Sequence, residues 1–388
     1  MKTQIVTKVL MAVVVLSMGF AASSQGIDGK DVKKFQASLV YPIGSNGQNS
    51  PQISNDISFN LIAGYSGGVR SFELGGIYNV VDGSVNGAQI SGFGNAVRGD
   101  VSGFQLAGFL NTNKGKLDGF QVGGFSNLIW DDVDGTQLAG FMNTAKGNVD
   151  GIQVAGFLNI ATENAKGLQL AGFSNVANDT DGAQVSGFIN RSGDLTGAQV
   201  AGFINKAREV RGVQLSVINI ADSVITGTQV GLVNISKNGL LSPGLESDDV
   251  IPYGITFRSG QESFYTVLSI GLKQDEYWAI GAGLGSRLTF SQKSNVFLNP
   301  ELRYQNLHKG KLKDYQNNNL VRLNFNIGYE LNKHLYLTAG PSVNFFHTRN
   351  LDENGNPKIN LVNSPALDEQ SRGNNYQLWI GYNIGIGF

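Results

Sequence analysis

The sequence predicts an all-β protein in which a repeat β-solenoid is inserted into a C-terminal antiparallel β-barrel of about eight strands. Two observations lead to this fold class. A phrase of nine residues recurs eleven times between residues 71 and 234, at steps of 16 and then 15 residues. Beyond residue 250, segments of about ten residues alternate between apolar and polar side chains, which is the pattern of strands with one buried face.

The first 24 residues have the features of an export signal peptide. Lys2 and Lys8 supply positive charge, Val9–Phe20 is an apolar run, and small residues follow it. The run is shorter than the roughly 20 residues that a membrane-spanning helix needs. We therefore expect the mature chain to begin near Gln25 and to leave the cytoplasm.

Residues 25–56 form an N-terminal segment that contains the first predicted barrel strand, 34–43. Apolar residues alternate from Phe35 to Ile43, which is the period of a strand. A second alternating segment, Ile57–Tyr65, leads directly into the repeats. We assign this segment to the repeats as a cap.

The repeat region spans residues 57–238. Its clearest copy runs from Gly103 to Asn111 and reads Gly-Phe-Gln-Leu-Ala-Gly-Phe-Leu-Asn. The Gln, the Ala, the second Phe and the Asn share one strand parity, and a polar turn follows. A strand, a turn and a short second strand make one coil of a solenoid. Because stacked coils place like residues on one another, we expect Phe to stack in the core and the amides to form hydrogen-bonded ladders.

The repeated positions are best defined in four consecutive copies. The first upstream copy, Ser71–Asn79, is degraded and carries Glu73 in place of the Gln. The predicted structural positions are Gln105, Phe109, Asn111, Gln121, Phe125, Asn127, Gln137, Phe141, Asn143, Gln153, Phe157 and Asn159.

A second interpretation makes each repeat one strand of a single large up-and-down barrel of about 20 strands. Leu106, Gly108 and Leu110 would then face lipid. Such a barrel alternates short and long turns and carries aromatic residues at both membrane interfaces. Here the turns are all alike, and no Tyr occurs between Tyr78 and Tyr253. The solenoid is therefore favoured.

Residues 239–250 are rich in Gly, Ser, Pro and acidic residues, which predicts a linker. The barrel strands are expected in 251–388. Alternating segments of about ten residues with aromatic ends are typical of outer-membrane β-barrels. Strands are predicted at 34–43, 251–259, 263–273, 277–290, 295–306, 318–330, 334–347 and 375–388. The residues of the C-terminal barrel signal are Tyr376, Tyr382 and Phe388.

The connections between these strands predict a membrane topology. Outer-membrane barrels have short turns on the periplasmic side and long loops outside. The predicted turns near 260–262 and 331–333 are short, whereas 307–317 and 348–374 are long. With 34–43 as the first strand, the repeats become an insertion in the first outer loop and are expected on the cell surface.

Two features resemble known bacterial envelope proteins. A chain that ends in an aromatic strand with Phe388 resembles the outer-membrane barrels handled by the barrel-assembly machinery. The Gly-x-Gln-[Leu/Val]-[Ala/Ser]-Gly-Phe-x-Asn phrase, over roughly 57–240, resembles bacterial surface-repeat proteins. The second resemblance implies a location in a Gram-negative outer membrane and no established activity. Many such relatives are lipoproteins, whereas this chain contains no cysteine.

Composition and isolated polar residues limit the chemistry. The net charge of −1 offers no basic surface for a nucleic acid. His347, near Asp352 and Glu353, is the one candidate for an envelope hydrolase. Acidic residues in the repeat turns suggest Ca²⁺, but the Gly-Gly-x-Gly-x-Asp motif of calcium-binding β-rolls is absent, which favours solvated turns. They are Asp118, Asp131, Asp132, Asp134, Asp150 and Asp181.

Charges on the inward parity of the barrel strands suggest either a pore lining or a paired polar core. In a barrel of eight strands the interior is filled by side chains, so the paired core is the expectation. A pore would require the large barrel. The inward charges are Arg258, Glu301, Arg303, Arg322 and Glu330.

The sequence therefore predicts a non-enzymatic outer-membrane surface protein without a cofactor. The barrel anchors it in outer-membrane lipid, and the repeats act as a structural or interaction module for an unidentified extracellular or envelope partner. A channel-forming large barrel and an envelope hydrolase are the alternatives.

Overall fold

The computed structural model describes residues 31–274, 276–290, 294–310, 317–333 and 335–388. It is all-β, with a β-solenoid of about 11 turns and a second, antiparallel sheet. Its contacts divide the chain into two units, 1–151 and 152–388, and each is described by itself. The predicted signal peptide lies outside the described residues. Within them, no helix has both the length and the apolar composition needed to cross a membrane.

The first unit consists of solenoid strands and one short 3-10 helix, Gly47–Gln52. The strands are β1 (Asp31–Val40), β2 (Ile43–Gly44), β3 (Ile53–Ser66), β4 (Gly68–Gly75), β5 (Tyr78–Val81), β6 (Val85–Ser91), β7 (Gly94–Val97), β8 (Val101–Ala107), β9 (Leu110–Asn113), β10 (Leu117–Gly123), β11 (Ser126–Ile129), β12 (Val133–Ala139) and β13 (Met142–Ala145).

Consecutive repeats of this unit pair in parallel and in register. Gly103 lies opposite Gly119, and Gln105 lies opposite Gln121. In the second strand of each coil, Asn111 lies opposite Asn127. Neighbouring strands of an up-and-down barrel are antiparallel, so the large barrel of about 20 strands is wrong. A coil of 16 residues returns the chain to the same face in the same direction, which produces parallel pairing.

The segment predicted as the first barrel strand belongs instead to the solenoid. Strand β1 pairs in parallel with β3, which contains the predicted cap Ile57–Tyr65. The reason lies in Gln36, which is buried and accepts hydrogen bonds from the side-chain amides of Asn46 and Asn55, both at 2.9 Å. Strand β1 thus contributes a buried amide like those of the repeats. Alternation alone did not distinguish the two roles.

The second unit begins within β14 (Val149–Ala155) and carries further coils with the shorter step. Gln184 lies opposite Gln199, and Asn190 lies opposite Asn205. The remaining solenoid strands are β15 (Leu158–Ala161), β16 (Ala165–Ala171), β17 (Ser174–Val176), β18 (Thr180–Ser186), β19 (Ile189–Arg191), β20 (Leu195–Ala201), β21 (Ile204–Leu215), β22 (Ile218–Val230) and β23 (Val233–Ser236).

The antiparallel sheet of the second unit follows the solenoid directly. Its strands are β24 (Leu240–Asp248), β25 (Tyr253–Gln261), β26 (Phe264–Lys273), β27 (Tyr277–Gly285), β28 (Leu288–Thr289), β29 (Val296–His308), β30 (Asn318–Asn332), β31 (Leu335–Thr348), β32 (Leu367–Ser371) and β33 (Asn374–Gly387). Strands β28 and β32 are short additions to β29 and β33.

The eight long strands of this sheet close on themselves. Each pairs with the next in chain order, and β33 pairs back with β24, placing Leu245 opposite Ile386. We call these eight strands the closed sheet. The prediction of a linker at 239–250 is therefore wrong, because residues 240–248 form the strand that completes the sheet. The inward side chains of this strand are polar. A prediction from composition alone therefore assigns such a strand to a linker.

The closed sheet has inverted polarity, with polar residues buried and apolar residues exposed. On β30, Arg322 and Asn324 are buried, while Phe325 and Ile327 on the other face are exposed. This is the parity expected from the sequence. At one end of the interior an apolar cluster packs together, formed by Val250, Ile251, Tyr277, Ala279, Leu307, Leu320, Phe346, Ile359, Leu361 and Trp379. The long loop 349–373 contributes Ile359 and Leu361 to it.

Candidate functional site

The predicted Gln positions form a buried ladder in the first unit. The Gln105 amide donates to the Gln89 oxygen at 2.7 Å, Gln121 donates to Gln105 at 2.7 Å, and Gln137 donates to Gln121 at 3.0 Å. Every donor points toward the preceding coil. A side-chain amide suits this position because it carries both a donor and an acceptor.

The predicted Asn positions form a second buried ladder that runs the opposite way. Asn111 donates to the Asn127 oxygen, and Asn127 donates to the Asn143 oxygen, both at 2.9 Å. The Asn111 amide also donates to the Val122 carbonyl at 2.7 Å. In the second unit, Gln169 donates to Gln153 at 2.8 Å, and Asn159 donates to Asn175 at 2.9 Å. The solenoid core therefore contains two hydrogen-bonded amide ladders beside buried apolar residues such as Val101, Leu117 and Val133.

The Phe positions also stack, but outside the core. Rings of Phe109 and Phe125 lie 4.8 Å apart, and those of Phe125 and Phe141 lie 4.9 Å apart. Phe141 is 38% exposed, so the predicted burial of Phe in the core is wrong. The chain bends at Gly-Phe between the two strands of each coil. At that bend the strand parity is lost and the ring points outward.

Glu73 terminates the Gln ladder of the first unit. Its carboxylate accepts from the Gln89 amide at 2.7 Å and from the Asn60 amide at 3.0 Å. A carboxylate suits a ladder end that receives donors from both sides. Complete burial raises the pKa of Glu73 from an ordinary 4.5 to about 7, although these hydrogen bonds favour the charged form.

Replacing Glu73 by Gln is expected to remove a pH dependence of stability. Because the folded pKa lies above the unfolded one, stability falls as pH rises from about 4.5 to about 7 and then stays low. The loss is on the order of 3 kcal/mol. Denaturant unfolding of both proteins across this range measures it. Parallel pH profiles for the native chain and Glu73→Gln would contradict the assignment, since other carboxyl groups contribute equally to both.

The acidic turn residues connect neighbouring coils. Asp132 accepts the Asn148 backbone N–H at 2.8 Å and lies 3.7 Å from the Lys116 ammonium. The Asn148 backbone bond is the main cause that lowers the pKa of Asp132. Asp118 and Asp134 are exposed on the outer face, as are Asp150 and Asp181. In the part of the chain that the structure describes, no three acidic or His side chains converge as a metal site.

The last coil of the solenoid binds the outer face of the closed sheet within the second unit. Asn234 donates its backbone N–H to the Ser259 hydroxyl and its side-chain amide to the Thr266 hydroxyl, both at 3.1 Å. Gln261 donates to the Ser236 hydroxyl at 2.7 Å. The Asn ladder therefore ends on side chains of the closed sheet.

A buried ionic network occupies the interior of the closed sheet. Arg258 donates to Glu301 at 2.7 Å, and Arg303 donates to Glu301 at 2.9 Å and to Glu246 at 2.9 Å. Arg258 also pairs with Glu246. The Tyr265 hydroxyl donates to Glu301 at 2.8 Å. Two guanidinium groups thus face two carboxylates, which is how buried charges are tolerated.

A third buried cation, Arg322, lies in the same interior, opposite Arg303 in the neighbouring strand. Arg322 pairs with Asp248 and lies 3.6 Å from Asp249. The Trp379 indole N–H donates to Asp249 at 2.7 Å. The sequence identified Arg258, Glu301, Arg303 and Arg322 as inward charges. It missed the acidic partners Glu246, Asp248 and Asp249 because they lie in the segment predicted as a linker.

Two sequence-based candidates lie outside these clusters. Glu330 is partly exposed and pairs with Arg287 at 3.2 Å, so it does not belong to the interior network. His347 shares a hydrogen bond of 2.9 Å with Asn374 and stacks on Tyr376. Asp352 accepts N–H groups of its own loop, from Asn354 at 2.9 Å and from Asn356 at 2.8 Å. The structure therefore does not join His347 and Asp352.

The residues of the predicted C-terminal signal are distributed along the last strand of the closed sheet, with Tyr376 near its start, Tyr382 in its middle and Phe388 directly after its end. Tyr382 and Phe388 are exposed, and Tyr382 lies opposite Pro341 in β31. Tyr376 lies in the same strand opposite His347.

These features define an all-β protein with a parallel β-solenoid and a second, antiparallel sheet. Comparisons with family models, curated proteins and solved structures find no match for this chain.

Proposed function

We propose that this chain is a non-enzymatic outer-membrane protein in which the closed sheet is a β-barrel anchor and the solenoid is a structural or interaction module. The observation that carries the proposal is the inverted polarity of the closed sheet. Its exposed face carries Ile255, Ile270 and Ile280, whereas Arg303 and Arg322 are buried inside. An apolar exterior around a polar interior suits a lipid environment. The resemblance to bacterial surface-repeat proteins supports the same location.

The strand number and the interior favour an anchor over a channel. Eight strands are an even number, and barrels of this size have interiors filled by side chains. Here the ionic network and the apolar cluster lie in that space. A channel would require a wider lumen. Only the large barrel of about 20 strands would have offered one, and the parallel pairing of the repeats contradicts that barrel. The interior residues therefore support a structural role.

The corrected first strand changes the proposed side of the membrane. Leu240 at the start of β24 lies opposite Gly260, near the short turn 262–263. The solenoid thus enters the closed sheet at the end that also carries the C-terminus, opposite the long loop 349–373. Since long loops of outer-membrane barrels are extracellular, we propose a periplasmic solenoid. The expectation of surface-exposed repeats depended on a barrel strand at 34–43.

Cysteine labelling of intact cells tests both the extracellular position of the long loop and the periplasmic position of the solenoid. The native chain has no cysteine, so only the introduced residue reacts. Glu353→Cys in the long loop is expected to react with a membrane-impermeant maleimide on intact cells. Thr196→Cys on the exposed face of β20 is expected to react only after the outer membrane is permeabilised. Labelling of Thr196→Cys on intact cells would contradict the periplasmic side.

Gel mobility tests the anchor separately. A folded outer-membrane barrel is expected to resist unboiled detergent and to migrate differently from the boiled chain. Recovery of the native chain in the soluble periplasmic fraction, with no heat-dependent mobility, would contradict membrane anchoring.

A further inference from the structure

The outward Phe row of the second unit forms a continuous apolar surface. We call the row Phe157, Phe173, Phe188, Phe203, Val217 and Leu232 the apolar edge. Rings of Phe157 and Phe173 lie 4.8 Å apart, and the next two neighbouring pairs lie 5.2 Å apart. Phe173 is 39% exposed and Leu232 is 51% exposed. Contiguous apolar surface of this extent marks a site of interaction.

A cluster of ion pairs in the same coils lies away from the apolar edge. Arg208 pairs with Asp194 at 2.8 Å and lies 3.8 Å from Asp179. Asp179 and Asp194 directly precede the first strands of their coils, and Arg208 lies at the corresponding place within β21, whereas each Phe follows such a strand. In coil β20–β21, the strand Leu195–Ala201 separates Asp194 from Phe203. Each coil is therefore amphipathic in cross-section, with a charged edge and an apolar edge.

The apolar edge continues onto the outer face of the closed sheet. Val217 and Leu232 line a cavity of about 570 Å³ together with Ala282 and Leu284 of β27. Leu284 points outward and is 45% exposed. Whatever apolar medium surrounds the closed sheet at Leu284 thus also reaches Leu232 without an intervening charged rim.

The regularity of the apolar edge favours a fluid occupant. Its four Phe rings repeat at spacings of 4.8 to 5.2 Å, so this part of the surface offers a partner protein no unique register. Specific protein interfaces instead combine anchors in distinct pockets with hydrogen bonds at their rim. Acyl chains need only apolar contact. A uniform row of this kind therefore matches lipid better than a folded partner.

We propose that the apolar edge of the solenoid contacts phospholipid acyl chains of the same membrane that holds the closed sheet. This inference rests on the proposed function, because it requires the closed sheet to lie in that membrane. The coils that carry the apolar edge then lie against the lipid surface with their charged turns in water. The same arrangement describes many membrane-surface elements, in which one apolar face is buried at the headgroup boundary.

Spin labels in the full-length protein test the contact directly. Three single-Cys variants are reconstituted in vesicles of phosphatidylethanolamine and phosphatidylglycerol: Phe188→Cys on the apolar edge, Thr196→Cys on an exposed strand face near the charged turns, and Ile270→Cys on the outer face of the closed sheet. Collision rates with oxygen, which concentrates in lipid, and with a water-soluble nickel chelate are measured. The oxygen-to-nickel ratio is expected to be several-fold higher at residues 188 and 270 than at residue 196.

The three positions separate failure of the inference from failure of the proposed function. A lipid signal at residue 270 with a water signal at residue 188 overturns the lipid contact and leaves the anchor intact. A water signal at residue 270 overturns both. Shielding of residue 188 from both reagents indicates a second copy or another protein on the edge, and it also overturns the proposal. Phe173→Cys repeats the measurement in the neighbouring coil, in case loss of one ring perturbs its own position.

Discussion

Replacement of Gly119 by alanine is expected to destabilise the solenoid by about 3 kcal/mol or more. Gly119 has a φ of +138°, a conformation that other residues rarely adopt. A Cβ atom there would lie 2.1 Å from the carbonyl oxygen of Gly103 in the preceding coil. That oxygen belongs to the backbone of a paired strand, so relief requires the two coils to separate.

Gly47→Ala is the matched control for this variant. Gly47 also has a positive φ, +54°, but no atom lies within 4 Å of its added Cβ. Its cost is expected to be about 1 kcal/mol, from backbone conformation alone. Denaturant unfolding monitored by circular dichroism measures both variants. Equal losses of unfolding free energy in the two variants would show that the close approach of neighbouring coils does not determine which residue is tolerated at position 119.

Replacement of Glu301 by glutamine is expected to destabilise the closed sheet by about 3 to 5 kcal/mol. Glu301 is buried and receives hydrogen bonds from Arg258, Arg303 and Tyr265. Removing its charge leaves two buried guanidinium groups facing the single carboxylate of Glu246. An uncompensated charge that is buried away from water is costly, and the isosteric amide retains the packing.

Glu330→Gln is the control for charge removal at the sheet. Glu330 is partly exposed and pairs with Arg287, so its loss should cost less than about 1 kcal/mol. Guanidinium unfolding of both variants in detergent micelles compares them. The double variant Glu301→Gln with Arg303→Met restores charge balance and should recover part of the loss. A loss for Glu301→Gln no larger than that for Glu330→Gln would contradict a stabilising network.

The solenoid was largely predictable because its information is local and repeated. One period of 16 residues determines which residues lie above one another, and Gln105 and Asn111 therefore stack on their own copies. Glu73 at the ladder end was visible as a departure from the repeat. The outward direction of the Phe side chains could not be predicted from the sequence. The bend after Gly108 interrupts the strand alternation on which the prediction was based.

The closed sheet was predictable in its polarity but not in all its strands. Seven of its strands lie close to the predicted segments, whereas the segment that forms β24 was predicted to be a linker. Glu246 and Asp248 gave that segment its polar composition, and the alternation of Ser242, Gly244, Glu246 and Asp248 was the signal that could have identified a strand. Their burial is understandable only once Arg303 and Arg322 are placed opposite them.

The sequence by itself determined the repeat period, the positions that form the two amide ladders and the inverted alternation of the C-terminal strands. These features follow from the repeat period and from the alternation of side chains along each strand, both of which are present in the sequence. Only the tertiary structure decided which strand closes the sheet and which face of the solenoid is apolar. The pairing of β24 with β33 joins residues more than a hundred positions apart. Glu246 of β24 is paired with Arg258 and Arg303, which lie 12 and 57 residues away in the sequence, and the alternation within one strand does not identify such partners.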